Sequence, residues 1–118
     1  MKTKYIIAVC ALTAASAAAQ AHAKLESSLP QANSELAGAP VEIRLRFNEP
    51  LEAAFSKIAL VDARQAAVIL PAIAIDKADP KVMFTAAPPL KPGKYEVRWT
   101  AMTHDGHKVK GQYVFSVK

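Results

Sequence analysis

Alternation of apolar and polar residues predicts β-strands along most of this chain. In residues 41–47, four apolar side chains alternate with charged ones. A period of two places one face of a strand in a core and the other in water. Residues 95–101 and 111–117 repeat the pattern. Shorter strand-like segments occupy residues 24–29, 57–61, 66–70 and 82–85.

Proline and glycine divide these segments from one another. Pro50 ends the strand at 41–47, and a Pro-Gly turn at Pro92 and Gly93 begins the one at 95–101, because proline cannot donate to a strand ladder. Residues 36–40 read as a loop and 51–55 as a short helical turn or crossover. Many short strands and almost no amphipathic helix predict an all-β, antiparallel sandwich of about seven strands with Greek-key links.

The first residues have the pattern of an export signal. Lys2 and Lys4 precede an apolar, alanine-rich run that ends in small residues. This run is shorter than the roughly 20 residues that a membrane span needs. We therefore expect residues 1–21 to be removed, leaving one domain at 22–118. A second cleavage point, before Lys24, also fits the small-residue rule.

Composition restricts the chemistry of the exported domain. The only cysteine, Cys10, lies in the predicted signal, so a metal would have to be held by nitrogen and oxygen. The formal charge of the whole chain is +5, and its basic residues are scattered among acids without a stripe of interleaved aromatics. This pattern does not favour nucleic acid as a partner.

The candidate chemistry lies between the last two strong strands. Asp105 and His107 flank Gly106, so an Asp-x-His pair in extended backbone could offer an oxygen and an imidazole nitrogen to one ion. A polar turn is the alternative interpretation. If His22 is the mature N-terminus, its α-amine and ring supply two more nitrogens. Such a nitrogen and oxygen set suits Cu(II).

Several segments together resemble the small periplasmic copper proteins of the CopC and YobA type. They extend over nearly the whole exported domain in the family's order. The matching segments are His22-Ala23-Lys24-Leu25 with Ser28 and Pro30, residues 45–50 (LRFNEP), Phe55-Ser56, residues 90–95 (LKPGKY), Val97 with Trp99, and Asp105-Gly106-His107-Lys108 through Gly111 to Phe115.

This resemblance implies an immunoglobulin-like β-sandwich or barrel that binds one Cu(II) in an N-terminal histidine brace. The implied ligands are His22, through amine and ring, with Asp105 and His107. Glu49 matches the family's acidic residue after the first long strand, either beside the site or as a carboxylate in a solvated turn. The extra histidine, His104, is not part of the family pattern.

The resemblance also implies a role in copper homeostasis or resistance in the periplasm. The protein would be a monomer without enzymatic activity that buffers copper or delivers it to a partner such as an inner-membrane CopD-like transporter. Some members carry a methionine-rich loop for Cu(I), but residues 61–75 contain no methionine here. Met83 and Met102 are expected to fill core space.

Two other functions fit part of the sequence. A histidine brace is similar to that of copper-dependent polysaccharide oxygenases, but this chain is short for such an enzyme and has no evident aromatic platform for a sugar. A metal-free sandwich used in adhesion or assembly would leave the histidines incidental. It predicts that no copper is retained after dialysis.

Overall fold

Two β-sheets packed against each other make up the fold in a computed structural model, which describes residues 23–118. The sheets contain four strands, in the order β1-β3-β7-β6, and five strands, in the order β2-β9-β8-β4-β5. A 3-10 helical turn spans Ala53–Phe55. The strands are β1 Leu25–Leu29, β2 Glu35–Leu36, β3 Glu42–Phe47, β4 Lys57–Asp62, β5 Ala67–Val68, β6 Ala74–Ile75, β7 Val82–Ala86, β8 Gly93–Met102 and β9 Lys108–Val117.

The core lies between the two sheets and follows the predicted alternation. In β3, Ile43, Leu45 and Phe47 are fully buried, while the charged residues between them are partly exposed. Phe47 meets Trp99 of the other sheet edge to face, with ring centroids 5.1 Å apart. Such contacts stabilise the sandwich beyond the area that they bury. Met83 is fully buried in the same core, as predicted.

The predicted all-β sandwich is confirmed, with nine strands in the described residues. Three of the nine are only two residues long. One of them, β5, lies within the strand predicted at residues 66–70, whereas β2 and β6 are too short for a periodic pattern to reveal. One of these, β2, begins before the segment predicted as a loop and pairs in parallel with the end of β9. The other strand pairs are antiparallel.

One end of the sandwich gathers three separate parts of the chain. The hairpin of β8 and β9 runs in continuous register to the pair Met102 and Lys108, so residues 103–107 project from this end. The segment after β3 reaches it through a bridge between Leu51 and Thr103. The beginning of β1 reaches it because Leu25 pairs with Phe47, the last residue of β3.

Two predictions fall outside the part of the chain that the structure describes. These are the export signal at residues 1–21 and the position of His22. Among residues 23–118, no helix is long and apolar enough to cross a membrane.

Candidate metal-binding site

The turn at residues 103–107 is closed by backbone hydrogen bonds. The amide of Thr103 donates to the carbonyl of His107 at 3.0 Å, and the amide of Gly106 donates to the carbonyl of Thr103 at 3.0 Å. Gly106 has a φ of +87°, a conformation that glycine adopts without the steric penalty of a β-carbon. The turn therefore has a defined geometry that its sequence dictates.

Within this turn the structure brings the side chains of Asp105 and His107 together. The Nδ1 atom of His107 lies 3.1 Å from Oδ2 of Asp105, and each side chain is 48% exposed. A carboxylate oxygen and an imidazole nitrogen thus face each other at the end of a rigid hairpin. This arrangement offers one anionic oxygen and one nitrogen donor to an ion arriving from solvent.

Thr103 holds the Asp105 carboxylate in place. Its side chain is buried, with 1% exposure, and its hydroxyl donates a hydrogen bond to Oδ1 of Asp105. That bond is the main reason why the pKa of Asp105 lies below its usual value. Partial desolvation opposes the shift, and the backbone amide of His107 adds to it. The carboxylate is therefore ionised, and able to bind a cation, well into the acidic range.

Thr103 was assigned no role from the sequence. Its signal is the placement of a hydroxyl two residues before an aspartate at the start of a turn, where side-chain hydrogen bonds are often local. Threonine in such a position often bonds only to local backbone. The bond to Asp105 becomes visible only once the turn is folded.

Glu49 follows Asn48 in the segment that leaves β3 at the same end of the sandwich. Its Oε2 atom is buried and has no hydrogen-bond partner within residues 23–118. A buried carboxylate oxygen without a partner is costly, and an ion or another donor is a usual explanation for one. Glu49 therefore fits the edge of a cation site better than it fits a solvated turn.

The start of the described chain is fixed beside the same segment. The amide of Lys24 donates to Oδ1 of Asn48 at 2.7 Å, and the amide of Asn48 donates to the carbonyl of Lys24 at 3.1 Å. Ala23 is buried, with 6% exposure, and belongs to the core. The paired hydrogen bonds between Lys24 and Asn48 thus hold the start of the described chain beside the segment that contains Glu49.

The extra histidine of the turn points to a different acidic residue. Nε2 of His104 lies 3.5 Å from Oε1 of Glu52, and both side chains are substantially exposed. Within residues 23–118, no three His, Cys, Asp or Glu side chains are grouped so as to hold a metal ion. The third predicted ligand, His22, lies outside the described residues.

Comparison with known proteins places these features in a family. A family model described as the CopC domain matches residues 25–118. Copper resistance protein C of Pseudomonas syringae pv. tomato is 39% identical over 123 residues, covering 99% of this chain and 97% of the relative. Protein YobA of Escherichia coli K12 is 34% identical over 116 residues, covering 98% of this chain and 94% of the relative.

Solved structures of copper proteins are also similar to this chain. The crystal structure of CopC from Methylosinus trichosporium OB3b superimposes with a TM-score of 0.78 at 31% identity, covering 82% of this chain and 94% of that one. PcoC, a methionine-rich copper resistance protein from Escherichia coli, gives a TM-score of 0.74 at 38% identity, covering 83% of this chain and 100% of that one. The resemblance seen in the sequence is confirmed: the chain belongs to the CopC family.

Proposed function

We propose that this protein is a periplasmic copper-binding protein of copper resistance or homeostasis, which holds one Cu(II) through His22, Asp105 and His107. The observation that carries the proposal is the Asp105 and His107 pair, with its two donor atoms 3.1 Å apart, in a member of the CopC family. Copper is the cargo of such a protein, which buffers the ion or delivers it to a partner.

Covalent geometry supports the participation of His22. Consecutive Cα atoms are 3.80 Å apart across a trans peptide bond, so residue 22 begins within that distance of Ala23. Ala23 is buried, and Lys24 is bonded to Asn48, which directly precedes Glu49. Residues 23 and 24 are thus fixed beside the segment that carries Glu49, whose buried oxygen has no partner among the described residues.

Signal removal would then create the site. Cleavage after Ala21 leaves His22 with a free α-amine, whose reference pKa of about 7.7–8.0 lets it lose its proton far more easily than a lysine. Because the amine and both imidazoles must be deprotonated to bind a metal, we expect copper affinity to fall as the pH falls. The lowered pKa of Asp105 keeps its carboxylate charged through this range.

The donors in the described residues favour Cu(II) over Cu(I). Met83 is fully buried in the core, and Met102 is a half-buried β8 residue whose backbone amide donates to the hydroxyl of Ser56 at 3.0 Å. Neither contributes to a cluster of exposed thioethers, which would suit Cu(I). Delivery to an inner-membrane CopD-like transporter is the transfer step that family membership suggests.

The two histidines of the turn provide a matched test. Cu(II) should be titrated into the exported chain beginning at His22, with affinity measured by competition against a chelator of known affinity. His107→Ala should weaken binding by more than the roughly 10–100-fold typical of losing a residue that only supports a ligand. His104→Ala, which removes the neighbouring histidine that contacts Glu52, should change affinity by less than about threefold.

Either of two results would contradict the proposal. Equal losses in the two variants would show that the turn binds copper without the proposed selectivity for His107. Unchanged binding in His107→Ala would place copper elsewhere. Circular dichroism of both variants should match the parent chain, because both side chains are exposed and lie outside the core.

A further inference from the structure

The outer face of the five-stranded sheet carries an uneven distribution of charge. Cross-strand register places Lys57, Thr100 and Lys110 in one row. The row nearer the turn pairs Met102 with Lys108, and the row on the far side contains Ala59, Arg98 and Gln112. Neighbouring strands lie about 4.8 Å apart, so these four cations share a patch three strands wide. We call it the basic face: Lys57, Arg98, Lys108 and Lys110.

Three of the four cations form no ion pair among residues 23–118. Arg98 pairs with Glu96 at 2.5 Å and also donates to Gln65 at 2.9 Å. Within residues 23–118, Lys57, Lys108 and Lys110 form no ion pair and are exposed. The opposite sheet differs, because the outward arginines of β3, Arg44 and Arg46, are paired with acidic side chains. Six other basic side chains of residues 23–118 also form no ion pair, so what distinguishes the basic face is that its three unpaired lysines lie on one sheet face next to the turn.

The shape of this face suits a large partner better than a small anion. Small side chains at Ala59 and Thr100 leave a shallow depression of about 540 Å³ with Lys57, Arg98 and Lys110 at its rim. The lysines are solvated, so a small anion would gain little by replacing its own water with them. Several dispersed charges instead match an extended surface of opposite sign, where they steer encounter and fix orientation.

The basic face is also continuous with the candidate copper site. Lys108 directly follows His107, and Lys110 lies two residues further along the same strand. Beside Lys57, Phe55 is 60% exposed, and exposed aromatic residues are frequent anchors of protein interfaces. A partner seated here would have the turn at residues 103–107 at the edge of its contact.

We propose that the basic face is the docking surface for an acidic surface of a protein that exchanges copper with this one. The inference rests on the proposed copper function for its purpose, but the surface itself is independent of bound metal. Charges on this face would align the partner before the ion moves, leaving Asp105 and His107 at the boundary of the complex.

A glutamate polymer provides a defined probe of this surface. The copper-free chain beginning at His22, labelled with ¹⁵N, should be titrated with poly-L-glutamate of about 20 residues, and amide shifts recorded at low and at physiological salt. We expect the shifts to concentrate on β4, β8 and β9 near the turn and to weaken as the Debye length falls to about 8 Å at 0.15 M salt. Monomeric glutamate at the same carboxylate concentration should produce no localised shifts.

Charge reversal supplies the matched comparison. The double variant Lys57→Glu/Lys110→Glu should weaken polymer binding roughly 5–30-fold, since two attractions become repulsions. Lys91→Glu/Lys94→Glu makes the same change in net charge at the far end of β8 and should weaken binding less than about twofold. Equal weakening by the two variants, or shifts centred on Arg44 and Arg46, would overturn the proposal. Localised binding of monomeric glutamate would also overturn it, by indicating a small-anion site.

Copper titration of the same variants separates this inference from the proposed function. Lys57→Glu/Lys110→Glu should retain the copper affinity of the parent chain while losing the polymer. If the parent chain binds the polymer on the basic face but no copper, the proposed function fails and the docking surface stands. If it binds copper but the polymer shows no preference for this face, only the docking surface fails.

Discussion

A single buried threonine links the backbone of the turn to its candidate metal-binding side chains. Thr103 is almost completely buried, bridges to Leu51 across the end of the sandwich, and donates its hydroxyl to Asp105. The carboxylate, in turn, lies 3.1 Å from the ring of His107. The buried Thr103 thus restricts the conformations of the exposed Asp105 and His107 side chains. This restriction reduces the entropy that they lose when they bind an ion.

Thr103→Val tests this positioning role. Valine keeps the β-branched shape that suits a strand end but removes the donor, so the pKa of Asp105 should rise toward its ordinary value. Copper affinity should fall by roughly 10–100-fold, as for other residues that orient ligands. Carbon-detected NMR titration of the Asp105 carboxyl checks the first effect, and chelator competition checks the second.

The direction in which Thr103→Val shifts the pH dependence follows from the hydrogen bond between Thr103 and Asp105. The pKa of Asp105 is lowered in the parent chain, so its carboxylate stays charged to a lower pH than it would in Thr103→Val. Thr103→Ser, which keeps the hydroxyl, should restore the lower pKa. An unchanged pKa in Thr103→Val would show that Thr103 only fills space.

At the scale of elements, the hairpin of β8 and β9 depends on close contact between Trp99 and Gly111. The two residues face each other across the strands, and the indole ring lies directly over the glycine. A β-carbon at position 111 would overlap with Cζ2 of Trp99. Because the ring also packs against Phe47, it cannot move away without disturbing the core.

Gly111→Ala should therefore destabilise the fold by about 1–3 kcal/mol, the usual effect of overpacking a filled site. For a domain of this size each kcal/mol corresponds to a fall of roughly 4–8 °C in the melting temperature. Gly38→Ala is the control, since a β-carbon there meets nothing within 4 Å. Thermal unfolding of the two variants measures the difference, and similar melting temperatures would contradict the packing argument.

Sequence and structure agree best where the pattern is long. Residues 41–47 and 95–101 alternate over enough positions to identify the strands β3 and β8 and their buried faces. Residues 35 and 36 could not be assigned to a strand in this way. Their two-residue strand exists because β9 offers a free edge, which is a property of the assembled sheet.

In the candidate site, too, the sequence predicts some contacts and not others. The spacing of Asp105 and His107 around a glycine was enough to predict that they meet, because the contact is local. The hydroxyl of Thr103 and the buried oxygen of Glu49 depend on how three distant segments are brought to one end of the sandwich. Periodicity carries no information about such contacts.

At the scale of the whole molecule, the fold brings the beginning of the domain to the turn near its end. Lys24 is bonded to Asn48, and the following segment bridges to the hairpin through Leu51 and Thr103. The two sheets thus hold the entry of the chain and the candidate ligands at one end. Under the proposed function, cleavage of an export signal would complete a copper site at this end.

The central claim is that a free amine on His22 helps to bind copper. Two chains should be prepared, one beginning at His22 and one beginning at Ala21, and their Cu(II) affinities compared by chelator competition. The second chain keeps the imidazole of His22 but converts its amine to an amide. We predict that the chain beginning at His22 binds Cu(II) more than roughly 100-fold more tightly, beyond the range typical of outer supporting residues. Equal affinities would contradict the account.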